Sequence, residues 1–402
     1  MMAIKRVSLF GHGSTTKSLA KIIPNAIFYD DKCKEAFEDE DGFLVKPSAE
    51  FDENSSDLEI TSPGIPPSNP LIQKAKHLIS EYDYFAQTAP LKIWISGTNG
   101  KTTTTQMTQH LLEDKGSVEG GNIGTPLAQL SQEASVWILE SSSFTMHYTN
   151  QAYPNIYALL PLSPDHLSWH GGMQEYIADK LKPIKMMQKG DVAIIPREYR
   201  DIETEAFVVS YADEYELAMF FDIDIDKIKF KGAFLADAVL AMAIDKVLFN
   251  RAEYDKINSF TLDSHRQEEL KDSRNRLWVN DTKATNLDAT IAALRRYEES
   301  YIHLILGGDD KGVDLNELFI FLQNTDLKIY NIGSNKEKLS TLAKEYDIDF
   351  EICKNLADAV KKIDKNLRSD EVALLSPAAA SLDEFSSYVQ RGDEFKAAIK
   401  NL

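Results

Sequence analysis

The chain has 402 residues, 43% of them apolar, and carries a formal net charge of −19. That length asks for two or three domains rather than one core, and so acidic a surface repels nucleic acid and anionic membrane, which argues against both as partners. Two distant cysteines, Cys33 and Cys353, imply no disulfide framework and fit a reducing compartment, and no run reaches the ~18 apolar residues of a membrane span.

Along the chain, the opening apolar run stops at the turn Gly11-His12-Gly13 and is too short for a secretory leader. Arg6 to Phe10 predicts a strand, the residues after Gly13 a helix to about Ile23, and Ala26 to Tyr29 a second strand ending in Asp30-Asp31. The acidic stretch Glu35 to Asp41 reads as a solvated loop. Leu58 to Thr61 predicts a strand running into Ser62-Pro63-Gly64-Ile65-Pro66-Pro67, a strong turn signal, with a helix after it to about Phe85. A second block opens at Lys92 to Ile95. A third opens at the strand Arg276 to Val279, followed by Asn280 to Asn286 and a helix through Ala292, Ala293 and Leu294. Strand–turn–helix units repeated in this way predict α/β domains with parallel sheets and ligands at the carboxyl ends of strands. Domain boundaries are expected near residues 89 and 264.

The chemistry concentrates in the turns. Gly11-His12-Gly13-Ser14-Thr15-Thr16 lacks the third glycine of a dinucleotide fingerprint, so it argues weakly for NAD, but it still suits a pyrophosphate. Ile93-Trp94-Ile95-Ser96-Gly97-Thr98-Asn99-Gly100-Lys101-Thr102-Thr103 places two glycines and Lys-Thr between a strand and a helical segment, Gln106 to Leu112. Glycines let backbone N–H groups face phosphate oxygens, Lys101 would bridge the β- and γ-phosphates, and Thr102 would reach Mg²⁺. Only Thr98 and Asn99 separate the glycines, where the standard loop has four residues. Trp137 to Glu140 reads as a buried strand delivering a carboxylate to a cleft, and Asp165-His166 follows the apolar run Tyr157 to Leu162. Glu140, His166 and nucleotide phosphates together make a plausible Mg²⁺ site. Singly each reads as structural, and Lys180 reads as an ordinary helix-surface lysine.

Gly-Thr-Asn-Gly-Lys-Thr resembles the ATP loop of Mur ligases and of the related folylpolyglutamate synthases, and other motifs extend the likeness along the chain. Leu139-Glu140-Ser141-Ser142-Ser143-Phe144, Asp165-His166 with Tyr176 and Lys180, and Gly120-Gly121-Asn122 resemble the Mur branch that adds D-glutamate. So do Asn280 to Asn286, Gly307-Gly308-Asp309-Asp310-Lys311, and Ser376 to Tyr388. The likeness implies three α/β domains. Residues 1–89 would form a Rossmann-like UDP-substrate domain, 90–264 a central P-loop ATPase-like parallel sheet, and 265–402 a Rossmann-like domain for ATP and the amino acid.

It further implies that Ser14, Thr15, Thr16, Asp30, Asp31, Asn122 and Ser142 hold the UDP substrate. Gly97 to Thr103, Arg266, Asn280, Lys283, Asn286 and Asp309 would serve ATP, and Lys311, Ser381, Leu382 and Tyr388 D-glutamate. Two magnesium ions would rest on Thr102, Glu140, His166 and a carbamylated Lys180, whose carbamate supplies the oxygen ligands that an ammonium cannot. The implied reaction joins D-glutamate to UDP-N-acetylmuramoyl-L-alanine through an acyl phosphate, in a cytoplasmic monomer, with Lys101, His166, Lys180 and Arg266 as the catalytic groups. The rivals are a sibling Mur ligase or folylpolyglutamate synthase, a nucleotide-binding regulator without chemistry, and an NAD-dependent oxidoreductase.

Overall fold

A computed structural model of the chain describes residues 6–122, 124–310 and 312–402. They form two compact units, Met1–Phe230 with Phe234–Phe260, and Lys231–Ala233 with Thr261–Leu402. The first unit contains two of three six-stranded sheets, and the second contains the third.

The first sheet is built on Val7–Phe10, a fully buried Val-Ser-Leu-Phe run. Parallel neighbours are Ile27–Asp30 on one side and Leu58–Thr61 on the other, so the chain switches direction across the sheet at the carboxyl end of its first strand. The Gly11–Gly13 turn sits at that switch point, where open α/β sheets bind ligands. The helix that follows is Ser14–Ala20. The expected helix up to Phe85 is instead a short helix Pro70–Lys74, a strand Leu78–Ile79 and a second short helix Glu81–Tyr84. Pairing of Leu78–Ile79 with Leu58–Thr61 overrides the helical spacing of apolar residues. The acidic stretch is solvent-exposed as expected apart from Asp39, but it is not all loop: Phe37–Glu38 adds an antiparallel edge strand, and the Asp39 side chain, 4% exposed, closes on His12.

The second sheet is entirely parallel, with Leu91–Ser96 flanked by Val136–Glu140 and Ile156–Leu159. Ser117–Gly121 extends it beyond Val136–Glu140, and Val192–Pro196 and Phe207–Tyr211 extend it beyond Ile156–Leu159. Its central strands Val136–Glu140 and Ile156–Leu159 are buried on both faces, as a helix-covered parallel sheet requires. One apolar cluster runs from Val7, Leu9 and Phe28 through Tyr82 and Phe85 to Trp94, Trp137 and Ile195, so the two sheets of this unit share a core. In the second unit, Leu277–Asn280, Val372–Leu375, Ile302–Leu306, Leu327–Asn331 and Phe350–Ile352 run parallel. The strand Glu268–Lys271 closes one edge antiparallel. Apolar clusters around Val279 and Leu304, and around Trp278 and Phe395, form its core.

Candidate functional site

The strand Leu91–Ser96 ends in Gly97, the loop closes through Gly100, and the helix Lys101–Leu112 begins at once. Gly97 has φ +147° and Gly100 has φ +82°. A Cβ on Gly97 would lie 2.5 Å from the Leu160 Cβ, and one on Gly100 would lie 2.4 Å from Asp237 Oδ1. Both positions therefore demand glycine on conformational and on packing grounds. The loop's N–H groups and the twelve-residue helix offer an anion site. Lys101 Nζ folds back onto the carbonyls of Gly97 (3.0 Å) and Thr98 (2.8 Å). Thr98 Oγ1 is tied to Ser163 O and Tyr176 OH. Asn99 is half-buried in the loop. Thr102 opens the helix beside it, and Thr103 is fully buried behind it.

Beside this loop, Glu140 ends its strand in register with Ile95 and Gly121. It is 3% exposed. Its Oε1 accepts the Asn122 amide at 2.6 Å, while its Oε2 is buried with no partner among the described residues. An unpartnered buried carboxylate oxygen is costly unless a cation meets it.

Lys180, on the helix Met173–Met186, is only 2% exposed, which overturns the surface-lysine reading. Its Nζ donates to Gly97 O (2.9 Å) and Ser96 Oγ (3.2 Å) and lies 5.0 Å from the Tyr176 ring centre. Burial, and then the Lys101 cation, push its ammonium well below the usual lysine range, against the pull of Asp165, Glu140 and Asp179. A disfavoured ammonium and, on the neighbouring strand, a carboxylate oxygen without a partner among the described residues suit a carbamate and a divalent ion better than a second cation. His166 is more open, with its side chain 44% exposed, its Nε2 3.4 Å from Asp165 and its ring 4.7 Å from that of Phe144.

Two cavities of the first unit complete the picture. One, of about 510 Å³, is walled by Gly11, His12, Asp30, Asp31, Phe37 and Asn69. There Asp30 accepts the His12 and Lys32 amides, Asp31 accepts from Asn69, and His12 Nε2 meets Asp39 at 2.8 Å. Burial alone would raise the Asp39 carboxyl, but bonds from His12 and from the Phe43 and Asp41 amides outweigh it and hold it low. The other, of about 220 Å³, is walled by Ser14, Thr15, Glu81, Asn122, Thr145 and Tyr148. Thr16 faces inward instead, its fully buried hydroxyl bonding to Gly11 O at 2.6 Å, so it builds the turn. Ser142 likewise caps its helix by accepting the Thr145 amide. Glu81, Tyr82 and Asp237 belong to no motif, and the sequence reading passed over them. Tyr82 OH contacts Glu140 O and Ser141, and Asp237 packs against Gly100 and accepts from Thr104.

In the second unit, Asn280 is fully buried and bonds to His265, Glu268 and Gly392 O, so its side chain is spent on the unit's interior. Asn286 caps the helix Leu287–Arg296. Lys283 Nζ reaches Tyr388 OH at 2.9 Å and lies over its ring. Asp309 bridges to Ala380, one residue before the buried Ser381, while Leu382 is 70% exposed. Arg266 lies in the field of Asp281, whose carboxyl burial pushes up to about 7 despite bonds from Ser376 and Gln267. Arg391, 1% exposed, binds Thr282, Ala379 and Ala380 and so fixes the strand-end loops to one another. Lys311 lies outside the described residues.

A family profile for the Mur ligase middle domain matches residues 95–231. The UDP-N-acetylmuramoylalanine--D-glutamate ligase of Campylobacter jejuni strain 81116 is 53% identical over 401 residues, covering 99% of this chain and all of the relative. The enzyme of that name from Helicobacter pylori strain J99 is 44% identical, with 98% and 99% covered. Among solved structures, a MurF ligase from Thermotoga maritima in complex with ADP superposes with a TM-score of 0.60 at 14% identity, covering 94% of each chain. MurF from Acinetobacter baumannii gives 0.61 at 13% identity, covering 99% of this chain and 94% of the other. At such identities these two structures establish the three-domain α/β fold and nothing finer.

Proposed function

The chain belongs to the Mur ligase family, and from that premise we propose that it joins D-glutamate to UDP-N-acetylmuramoyl-L-alanine with conversion of ATP to ADP and phosphate. The full-length identity to ligases of that name carries the reading. The substrate carboxylate attacks the γ-phosphorus, the bond to the bridging oxygen breaks, and ADP leaves an acyl phosphate. The D-glutamate amine then attacks the acyl carbon, loses a proton and expels phosphate.

The loop amides from Gly97 to Thr103 cradle the nucleotide, and Lys101 exchanges the Gly97 and Thr98 carbonyls for phosphate oxygens. Thr102, Glu140, His166 and Lys180 as its carbamate would hold magnesium, which supplies charge neutralisation on the phosphates. The free Oε2 of Glu140 and the depressed ammonium of Lys180 support that set. Residues 1–89 take the UDP moiety through Ser14, Thr15, Asp30 and Asp31; Asn122 of the central segment walls the smaller cavity with Ser14 and Thr15, and Thr16 and Ser142 shape their turns. Within 265–402, Arg266, Lys283, Asn286 and Asp309 serve ATP, supported from inside by Asn280. Lys311, Ser381, Leu382 and Tyr388 serve D-glutamate. ATP and a UDP-sugar are cytoplasmic metabolites, so that compartment is the proposed one, and the enzyme acts as a monomer.

Phosphate release with ATP and UDP-N-acetylmuramoyl-L-alanine tests the reading. Release should require D-glutamate. Equal release without it, or preference for a folate with L-glutamate, would reject this substrate assignment.

A further inference from the structure

Three residues that no step above uses meet at the flank of the helix that carries Lys180. His147 comes from the helix Ser143–Tyr148, His170 from Leu167–His170, and Asp179 from Met173–Met186. His147 Nδ1 lies 2.9 Å and His170 Nδ1 2.8 Å from the same oxygen, Asp179 Oδ2, and one donor atom from each residue falls within 4.8 Å of the others. Among the described residues no other such group of histidine, cysteine and carboxylate donors converges.

We propose that His147, His170 and Asp179 form a site for one zinc-class divalent ion, separate from Glu140, His166 and Lys180, which clamps three helices together. Two imidazoles and one carboxylate suit zinc, cobalt or nickel better than magnesium, which prefers oxygen. Bonds of ~2.0–2.2 Å in a tetrahedral site set ligand atoms roughly 3.3 Å apart. The His–Asp separations of 2.8–3.1 Å therefore need to open by only a few tenths of an ångström, and one nitrogen of each imidazole lies within 4.8 Å of the other.

The surroundings are those of a metal-binding histidine. His170 has no exposed side-chain surface, and its other nitrogen, Nε2, is 2.9 Å from Ser143 Oγ. With an ion bound, Nε2–H would donate to that hydroxyl and leave the Nδ1 lone pair for the metal, in place of the Nδ1–H donation to Asp179 that the ion-free pair makes. Phe144 stacks on His170, while Trp169 packs on both imidazoles at 4.6 and 5.2 Å. His147, one-third exposed, leaves an entry path. An ion here would fasten the helix carrying Lys180 to the helix whose Thr145 and Tyr148 wall the smaller cavity. The site stands whether or not the reaction proposed above is correct.

The test uses the full chain, stripped of metal and held in excess Mg²⁺, titrated with Zn²⁺ and separately with Co²⁺. A single tightly bound equivalent, visible bands of tetrahedral Co²⁺ and a Tm rise of several degrees are expected. All three should vanish in His147→Gln and in His170→Gln and persist in His166→Ala. Asp179→Asn, which keeps the shape and removes the charge, should weaken binding at least tenfold. If the wild-type chain binds no such equivalent, or if the His147 and His170 variants bind it unchanged, the three residues are a hydrogen-bonded cluster only and the proposal fails. The gentler His147→Gln variant decides the matter should His170→Gln not fold.

Discussion

Lys180 shows how much one residue's surroundings change its chemistry. Burial at 2% exposure, and then the neighbouring Lys101 cation, disfavour its ammonium, and so favour the uncharged amine that a reaction with carbon dioxide would need. Lys180→Ala should lower kcat by roughly 10- to 100-fold or more, by analogy with losses around metal ligands. Short carboxylic acids should restore part of that loss, as kinetics with and without added formate or acetate would show. Glu81 makes a stability prediction. Burial raises its carboxyl from 4.5 to about 8, opposed by the Ala128 and Leu127 amides. The folded state therefore holds a proton that the unfolded chain releases earlier. The resulting stability is complete below pH 4.5 and disappears as pH rises through about 8. Glu81→Gln should flatten that slope and leave the variant the more stable at pH 9. The gain is on the order of 1.4 kcal/mol per pKa unit of the displacement and is readable by urea unfolding across pH. Neither environment was legible in the sequence, because burial and charge neighbours come from residues far along the chain. Thr16 and Asn280 show the converse: a motif names residue types but not the direction a side chain takes.

The phosphate loop was the most legible element, since its requirements are local: a strand, two glycines, a lysine and a helix in immediate succession. Gly97→Ala should cost about 1–3 kcal/mol from the backbone conformation and from collision with Leu160, and should abolish ATP binding. Gly64→Ala, where no atom lies within 4 Å of the added Cβ, should stay within about 0.5 kcal/mol. Paired calorimetric unfolding and nucleotide titration would show both. The segment up to Phe85 was illegible for the opposite reason. Leu71, Ile72, Leu78, Ile79 and Tyr82 fit helical spacing, yet Leu78 and Ile79 find a strand partner in Glu59 and Ile60. The buried Asp39 in its acidic run was likewise invisible until His12, 27 residues earlier, closed on it.

For the whole molecule, sharing of cores decides which pieces stand alone. The unit that includes Thr261–Leu402 has apolar clusters on both faces of its own sheet, so a fragment spanning 261–402 should unfold cooperatively on heating. A fragment of 1–89 should melt far lower or not fold, because Tyr82 and Phe85 lose the rings of Trp94 and Trp137, 4.7 and 5.6 Å away. Circular dichroism melts of the two fragments would distinguish these outcomes. The pattern of three strand–turn–helix blocks was readable from sequence. The fusion of the first two through one core was not, since it depends on aromatic contacts between blocks.

The same aromatic accounting gives the molecule an optical handle. Of its four tryptophans, Trp94, Trp137 and Trp278 are sealed inside at 0–1% exposure. Trp169 alone sits between two imidazoles, with its indole N–H toward Gly64 O. Its emission should therefore brighten or dim as that corner gains an ion or the neighbouring cavity fills, over a steady background from the other three, with no label attached.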